Sequence, residues 1–226
     1  MSSFASNFVP EPSVGPARPP AFHHRHRGRR RFWPASLYKK TVTAFVRDLP
    51  VSQLEAAFCD LPAPLVVDRP VSGATAGPVD FHGLGTAFHE AFSANVSGKW
   101  IALELYRYVR TLRSELARLG VDEIYTEWSH QRSIQSWRGE VDASLSRGPK
   151  PYGALELKVV GQEPGTGFAD DLCQLACYCR LAAESGRPIS KQFAVLAYFM
   201  PRHLNMRLLV WTDVAPLVTP LAALAD

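Results

Sequence analysis

Near Gly120 the apolar period of this chain changes, and that change limits the fold more than any single motif does. Upstream, Leu103, Tyr106, Val109, Leu112 and Leu116 repeat at helical spacing within a helix expected over residues 99–119. Gly120 stands where a helix is expected to stop. Downstream the pattern is that of strands, at residues 123–129, 136–145 and 152–160. Ser146-Arg147-Gly148-Pro149-Lys150-Pro151 is turn chemistry, so the second and third of these strands are expected to pair as a hairpin. A helix over 170–185, strands at 193–200 and 206–211, and a short helix over 213–225 interrupted by Pro216 and Pro220 complete this half. Before the long helix, residues 36–48 and 51–60 are expected to be helical on either side of Pro50. Residues 61–80 then form a loop with a short strand near Leu65-Val66-Val67, and a further helix runs over 83–96. The order of elements predicts an α/β fold, a sheet with helices packed against it.

Charge is unevenly placed. Residues 1–47 carry nine Lys or Arg against one acid, Glu11, so this stretch holds +8 of a net +4 and residues 48–226 hold −4. The tail over 1–35 is rich in Pro and contains the run His23-His24-Arg25-His26-Arg27-Gly28-Arg29-Arg30-Arg31, a composition that cannot bury a core and predicts disorder. Affinity for a polyanion is therefore expected to lean on the tail and on local arginines such as Arg132, Arg138 and Arg147, which flank the hairpin. No run of 18 apolar residues exists, which predicts no membrane span. The N-terminus lacks an apolar signal core, so a cytoplasmic location is expected, with association with the nucleoid and an organelle transit peptide left open. Three of the four cysteines, Cys173, Cys177 and Cys179, crowd one predicted helix without a CxxC pair, and Cys59 stands apart. Reduced, buried thiols are the plain expectation.

The hairpin carries the chemistry. Asp142 lies on the strand that enters it, Glu156 and Lys158 on the strand that leaves it, and Glu156 and Lys158 share a face because side chains alternate along a strand. Two carboxylates brought together across a ladder repel unless something positive lies between them. Mg²⁺ or Mn²⁺ suits oxygen ligands, and such a cation lowers the pKa of a water and screens charge on a phosphate. Lys158 would orient that water, take up its proton or stabilise the phosphorane, the base role requiring its own pKa to fall. Gln174 and Tyr178, four apart, share a face of the following helix, and His89 lies one helix ahead of the sheet. Trp128, Trp137 and Trp211 are candidates for base stacking or for the core, and the loop 161–167 for a substrate gate or a plain connection.

Together these residues resemble the PD-(D/E)xK nuclease superfamily and, within it, the RecB-like exonuclease branch. The resemblance rests on Gly85 to His89, Gly139 to Asp142, Glu156 to Lys158 and Gln174 to Tyr178, in that order, with Glu127 similar to an acid on the preceding strand. It covers roughly residues 80–211. It implies a restriction-endonuclease-like core, a mixed central sheet flanked by helices, within a domain over 36–226. Helices would occupy 36–119 of that domain, and the catalytic sheet and helix 120–226. It further implies that His89, Asp142, Glu156 and the Leu157 carbonyl hold Mg²⁺ or Mn²⁺ and that Lys158 is the catalytic lysine. Gln174 and Tyr178 would position the lysine or the DNA, with Arg132 and Arg138 on the substrate. Some RecB-like members add an iron–sulfur cluster held by one upstream cysteine and three after the Gln–Tyr helix. Here Cys173, Cys177 and Cys179 lie within that helix and none follows it, which argues against the cluster.

The expected function is metal-dependent hydrolysis of phosphodiester bonds in DNA, with exonuclease action favoured and a protein partner or second copy left open. The rivals are a non-catalytic module that binds nucleic acid or protein on the same fold, and a nuclease deployed as a toxin, defence or mobile-element factor.

Overall fold

The computed structural model describes residues 40–71, 80–99, 101–130, 137–148 and 150–224. The basic tail over 1–35, Arg132, and the side chains of Glu127, Trp128, Trp137 and Arg138 lie outside the described part.

Among the described residues, seven strands form one mixed sheet: β1 (Lys40–Thr41), β2 (Leu65–Pro70), β3 (Glu123–His130), β4 (Trp137–Arg147), β5 (Lys150–Val159), β6 (Gln192–Met200) and β7 (Asn205–Trp211). Across the sheet the order is β3-β4-β5-β6-β7-β2, with the two-residue β1 running parallel beside the start of β4. The expected hairpin forms between β4 and β5, closed at Arg147 and Lys150 with Gly148 at φ +44°. β5 and β6 are parallel, as a strand–helix–strand crossover requires, and every other long pairing is antiparallel. The short strand expected near residue 66 runs to Pro70 and covers the outer edge of β7.

The helices are α1 (Val42–Asp48), α2 (Val51–Phe58), α3 (Phe81–Val96), α4 (Leu103–Arg118), α5 (Ala169–Glu184), α6 (Ala215–Val218) and α7 (Leu221–Leu224). Their ends follow local chemistry. Thr41 Oγ1 accepts from the Ala44 N–H to start α1, and Asp80 Oδ1 accepts from His82 and Gly83 to start α3. Gly120, at φ +80°, ends α4: its N–H reaches the Ala117 carbonyl and that of Val121 reaches Leu116, a Schellman closure with both apolar partners buried.

Alternation divides the sheet's side chains between two cores. Tyr152, Ala154, Leu196, Tyr198, Leu209 and Trp211 face α1, α2, α5, α6 and α7. Leu155, Leu157, Val195, Ala197, Phe199 and Leu208 face α3 and α4. All nine residues of β6 are buried, as a strand covered on both faces must be. Trp211 therefore belongs to the core and not to a substrate surface.

Three expectations change. On α4, Leu103 and Tyr106 are exposed at 62% and 39%, while Tyr108, Val109, Leu112 and Leu116 are buried. The core-facing stripe runs through Leu105, Val109, Leu112 and Leu116, because only that set stays on one side of the helix beneath α3. Arg147, one of the arginines expected to serve a polyanion, has its guanidinium engaged within the chain. Its guanidinium lies 5.0 Å from the centre of the Phe193 ring and donates to the Leu119 carbonyl, at the turn end of the hairpin and far from Asp142. Among the cysteines, Cys59 is exposed and the three of α5 are buried and free.

Gly153 shows how tightly the hairpin is packed. A Cβ there would stand 2.4 Å from the buried Phe193 ring, itself held by Arg147. Gly153→Ala is expected to lower stability by about 1–3 kcal/mol. Urea denaturation checks this, and an unchanged midpoint contradicts the packing.

Candidate active site

Asp142 occupies the place where β4 leaves β5. The ladder between these strands extends from the turn only to the Ala143–Leu155 pair. Val141 and Ala143, two apart, would share a face of a regular strand, yet Val141 packs in the α5 core and Ala143 in the α3 core. The alternation breaks at Asp142. Its carboxylate enters the gap, where Oδ2 accepts the Leu157 N–H at 2.7 Å and takes the place of a ladder partner. Oδ1 faces His89 Nδ1 on α3 at 3.0 Å. Burial works against a charged His89, but the hydrogen bond and charge of Asp142 outweigh it and raise the imidazole pKa.

Glu156 and Lys158 project from β5 toward α5, as their spacing predicts. Lys158 Nζ donates to Gln174 Oε1 at 2.8 Å and lies 3.0 Å from Glu156 Oε1. Gln174 Nε2 donates to the same Glu156 oxygen at 2.8 Å and to the Tyr178 hydroxyl at 2.9 Å. One amide thus ties acid, lysine and phenol together. The glycine that opens the Gly139–Asp142 segment has a steric reason here: a Cβ on Gly139 would meet the Tyr178 ring at 2.5 Å and Val42 at 2.9 Å.

A seventh participant carries no motif of its own in the sequence. Asp171 Oδ1 lies 3.4 Å from Lys158 Nζ, and its Oδ2 accepts from the Tyr198 hydroxyl at 2.9 Å. Tyr198 in turn accepts the Phe168 N–H at the start of α5. Asp171, Gln174 and Tyr178 follow the i, i+3, i+7 spacing of one helix face, so extending the Gln174–Tyr178 face one turn back would have found it.

His89, Asp142, Glu156, Lys158, Gln174 and Tyr178 line one cleft of about 540 Å³. Phe81, His82, Gly85, Thr86, His89 and Glu90 of α3 form one wall, and Glu140, Asp142, residues 156–159, Gln174 and Tyr178 line the rest with Thr43 of α1. Every expected site residue whose side chain is described is therefore in one place.

Electrostatics in the cleft are strained. Burial first, and then the neighbouring Asp142, push the Glu156 carboxyl well above its usual range, despite Lys158. Its second oxygen, Oε2, is buried and has no hydrogen-bond partner among the described residues. Burial also raises Asp171. For Lys158, burial favours the neutral amine, but Glu156 and Asp171 outweigh it and hold the ammonium charged. The two neighbouring carboxyls thus favour the charged form of Lys158.

Comparison with protein-family models, with curated proteins and with solved structures finds no significant match.

The raised carboxyl of Glu156 has a consequence for stability. A folded-state pKa above the unfolded value means that the folded chain binds more protons, so stability falls as pH rises above about 4.5. Glu156→Gln keeps the acceptor for Gln174 and Lys158 but removes the charge. In chelator, the variant is expected to melt higher than the natural chain at pH 8, by roughly 2–4 °C for each kcal/mol relieved. The gap should close as pH falls toward 4.5. Thermal melts across this range check it; a variant that melts lower at pH 8 contradicts the assignment.

Proposed function

We propose that this chain is a metal-dependent nuclease that hydrolyses phosphodiester bonds in DNA, favouring exonuclease action, on a restriction-endonuclease-like core of the RecB-like, PD-(D/E)xK kind. One observation carries the reading: Glu156, Lys158, Gln174 and Tyr178 form a single hydrogen-bonded unit in a cleft also lined by Asp142 of β4 and by His89 from the α3 layer. A structural ion pair has no need of a second carboxylate and an imidazole across an open cleft.

The residues suit a hard divalent cation. Asp142, Glu156 and His89 offer oxygen and imidazole donors, the Leu157 carbonyl adjoins them, and the unpartnered, buried Oε2 of Glu156 is an acceptor that calls for a positive partner. Among the described residues these side chains do not stand as a ready-made group of three ligands. Asp142 and His89 are bonded to each other, and Glu156 turns toward Lys158. When bound, Mg²⁺ or Mn²⁺ acidifies a water and neutralises charge on the phosphate.

The chain's own groups supply the rest. The Lys158 ammonium, held charged by two carboxylates and partly open to the cleft, orients the attacking water or stabilises the extra charge of the pentacovalent phosphate. Gln174 fixes both Lys158 and Glu156 in position, and Tyr178 fixes Gln174. Arg132 and Arg138 remain proposed DNA contacts.

Glu156→Ala and Lys158→Ala are each expected to reduce Mn²⁺-dependent cleavage at least about a hundredfold while leaving circular dichroism unchanged. Linear and covalently closed circular DNA, single- and double-stranded, are the substrates. Survival of the circles supports exonuclease action, and full activity in both variants contradicts the site. A non-catalytic binding module is favoured by the absence of a ready-made ligand group among the described residues. DNA bound but uncleaved in the same assay selects that reading.

A further inference from the structure

Phe81 is an aromatic residue without a core. It is half-buried at the start of α3, belongs to neither hydrophobic cluster, and forms part of the cleft wall. Two contacts nevertheless hold its ring in place. The Arg202 guanidinium, on the turn Pro201–His203 between β6 and β7, lies 4.9 Å from the ring centre. Gly161, just past β5, brings bare backbone against the ring tip: a Cβ there would stand 3.0 Å from Phe81 Cζ. Asp80 caps the helix on which the ring sits. A half-buried ring fixed in this way on a cleft wall, with a cation over it, is a prepared surface.

The wall between this ring and the centre is a continuous stripe. Phe81, His82, Gly85, Thr86, His89 and Glu90 repeat at i, i+1, i+4, i+5 along α3. No atom lies within 4 Å of where a Cβ on Gly85 would stand, so the middle of the stripe is open. Eight residues of helix place Phe81 about 12 Å along the axis from His89. The charge of the cleft points the same way. Glu90, Glu140, Asp142 and Glu156 line it against Lys158 and His89, so bare electrostatics do not draw a polyanion in. A nucleobase is neutral and stacks on an aromatic face whatever its identity, and a guanidinium over the ring adds to that attraction.

We propose that Phe81, backed by Arg202, is a nucleobase-stacking subsite at the far end of the cleft from Asp142 and Lys158, and that the strand it receives is single-stranded or frayed. The inference rests on the nuclease reading above. A base reaches a side-chain platform only after leaving its duplex stack, which selects single strands and open ends over intact duplex.

The test uses the full chain in chelator with an oligothymidylate carrying one 2-aminopurine, moved along the strand. At one position the natural protein is expected to quench the fluorophore. Phe81→Leu, which keeps an apolar side chain without a ring, should abolish the quenching and weaken binding about tenfold to a hundredfold. Phe81→Trp should retain both, and Arg202→Gln should weaken binding less. With Mn²⁺, hydrolysis of bis(p-nitrophenyl) phosphate, which has no base, reports on the centre in the natural protein. Quenching and affinity unchanged in Phe81→Leu overturn the subsite, as does tighter binding of intact duplex than of single strand. A natural protein that neither binds the oligonucleotide nor cleaves the small diester overturns the nuclease reading, and the subsite with it.

Discussion

The hydrogen bond from the Leu157 N–H to the Asp142 carboxylate, 2.7 Å long, is the contact on which the site depends. At that point β4 and β5 have stopped pairing through their backbones, and a buried N–H left without an acceptor costs free energy comparable to a lost hydrogen bond. The side chain of Asp142 satisfies it and in doing so spans the sheet. The same carboxylate then meets His89 from the α3 layer, while Glu156 and Lys158 look toward α5. Residues from both layers reach one cleft because the sheet opens there.

Around that opening the protein has accepted unfavourable electrostatics. Glu156 is buried with one oxygen unpartnered and Asp142 near it, and only Lys158 and the amide of Gln174 offset the charge. Asp171 adds a second carboxylate beside the lysine, anchored through Tyr198 to the start of α5. Such an arrangement does not favour stability over a well-packed apolar core. It keeps Lys158 charged and points an anionic, coordinatively unsatisfied group at the cleft. The steric features agree: Gly139 lets Tyr178 and α1 close on β4, and Gly161 lets the β5 exit close on Phe81.

Much of this was legible in the sequence because it follows from short-range rules. The turn chemistry at 146–151 placed Asp142 beside Glu156, the strand period put Glu156 and Lys158 on one face, and the helix period joined Gln174 to Tyr178. Gly120 marked the end of α4 by its need for a positive φ. What was not legible depends on tertiary packing. The face of α4 that is buried was misread at Leu103 and Tyr106, because both the exposed and the buried stripe are apolar and only α3 decides between them. Arg147 covers Phe193, a contact set by the parallel pairing of β5 with β6. Asp171 lay on an already recognised helix face but gains its role only through Tyr198, 27 residues away in the chain.

The central claim is that Asp142 and Glu156, on neighbouring strands where the sheet opens into one cleft, together bind a divalent cation. Calorimetric titration of Mn²⁺ into the full, chelator-stripped chain tests it most directly. The account predicts saturable binding by the natural protein that is lost or strongly weakened in Asp142→Asn and in Glu156→Gln, with both variants folded. No binding by the natural protein, or equal binding by the variants, would contradict it.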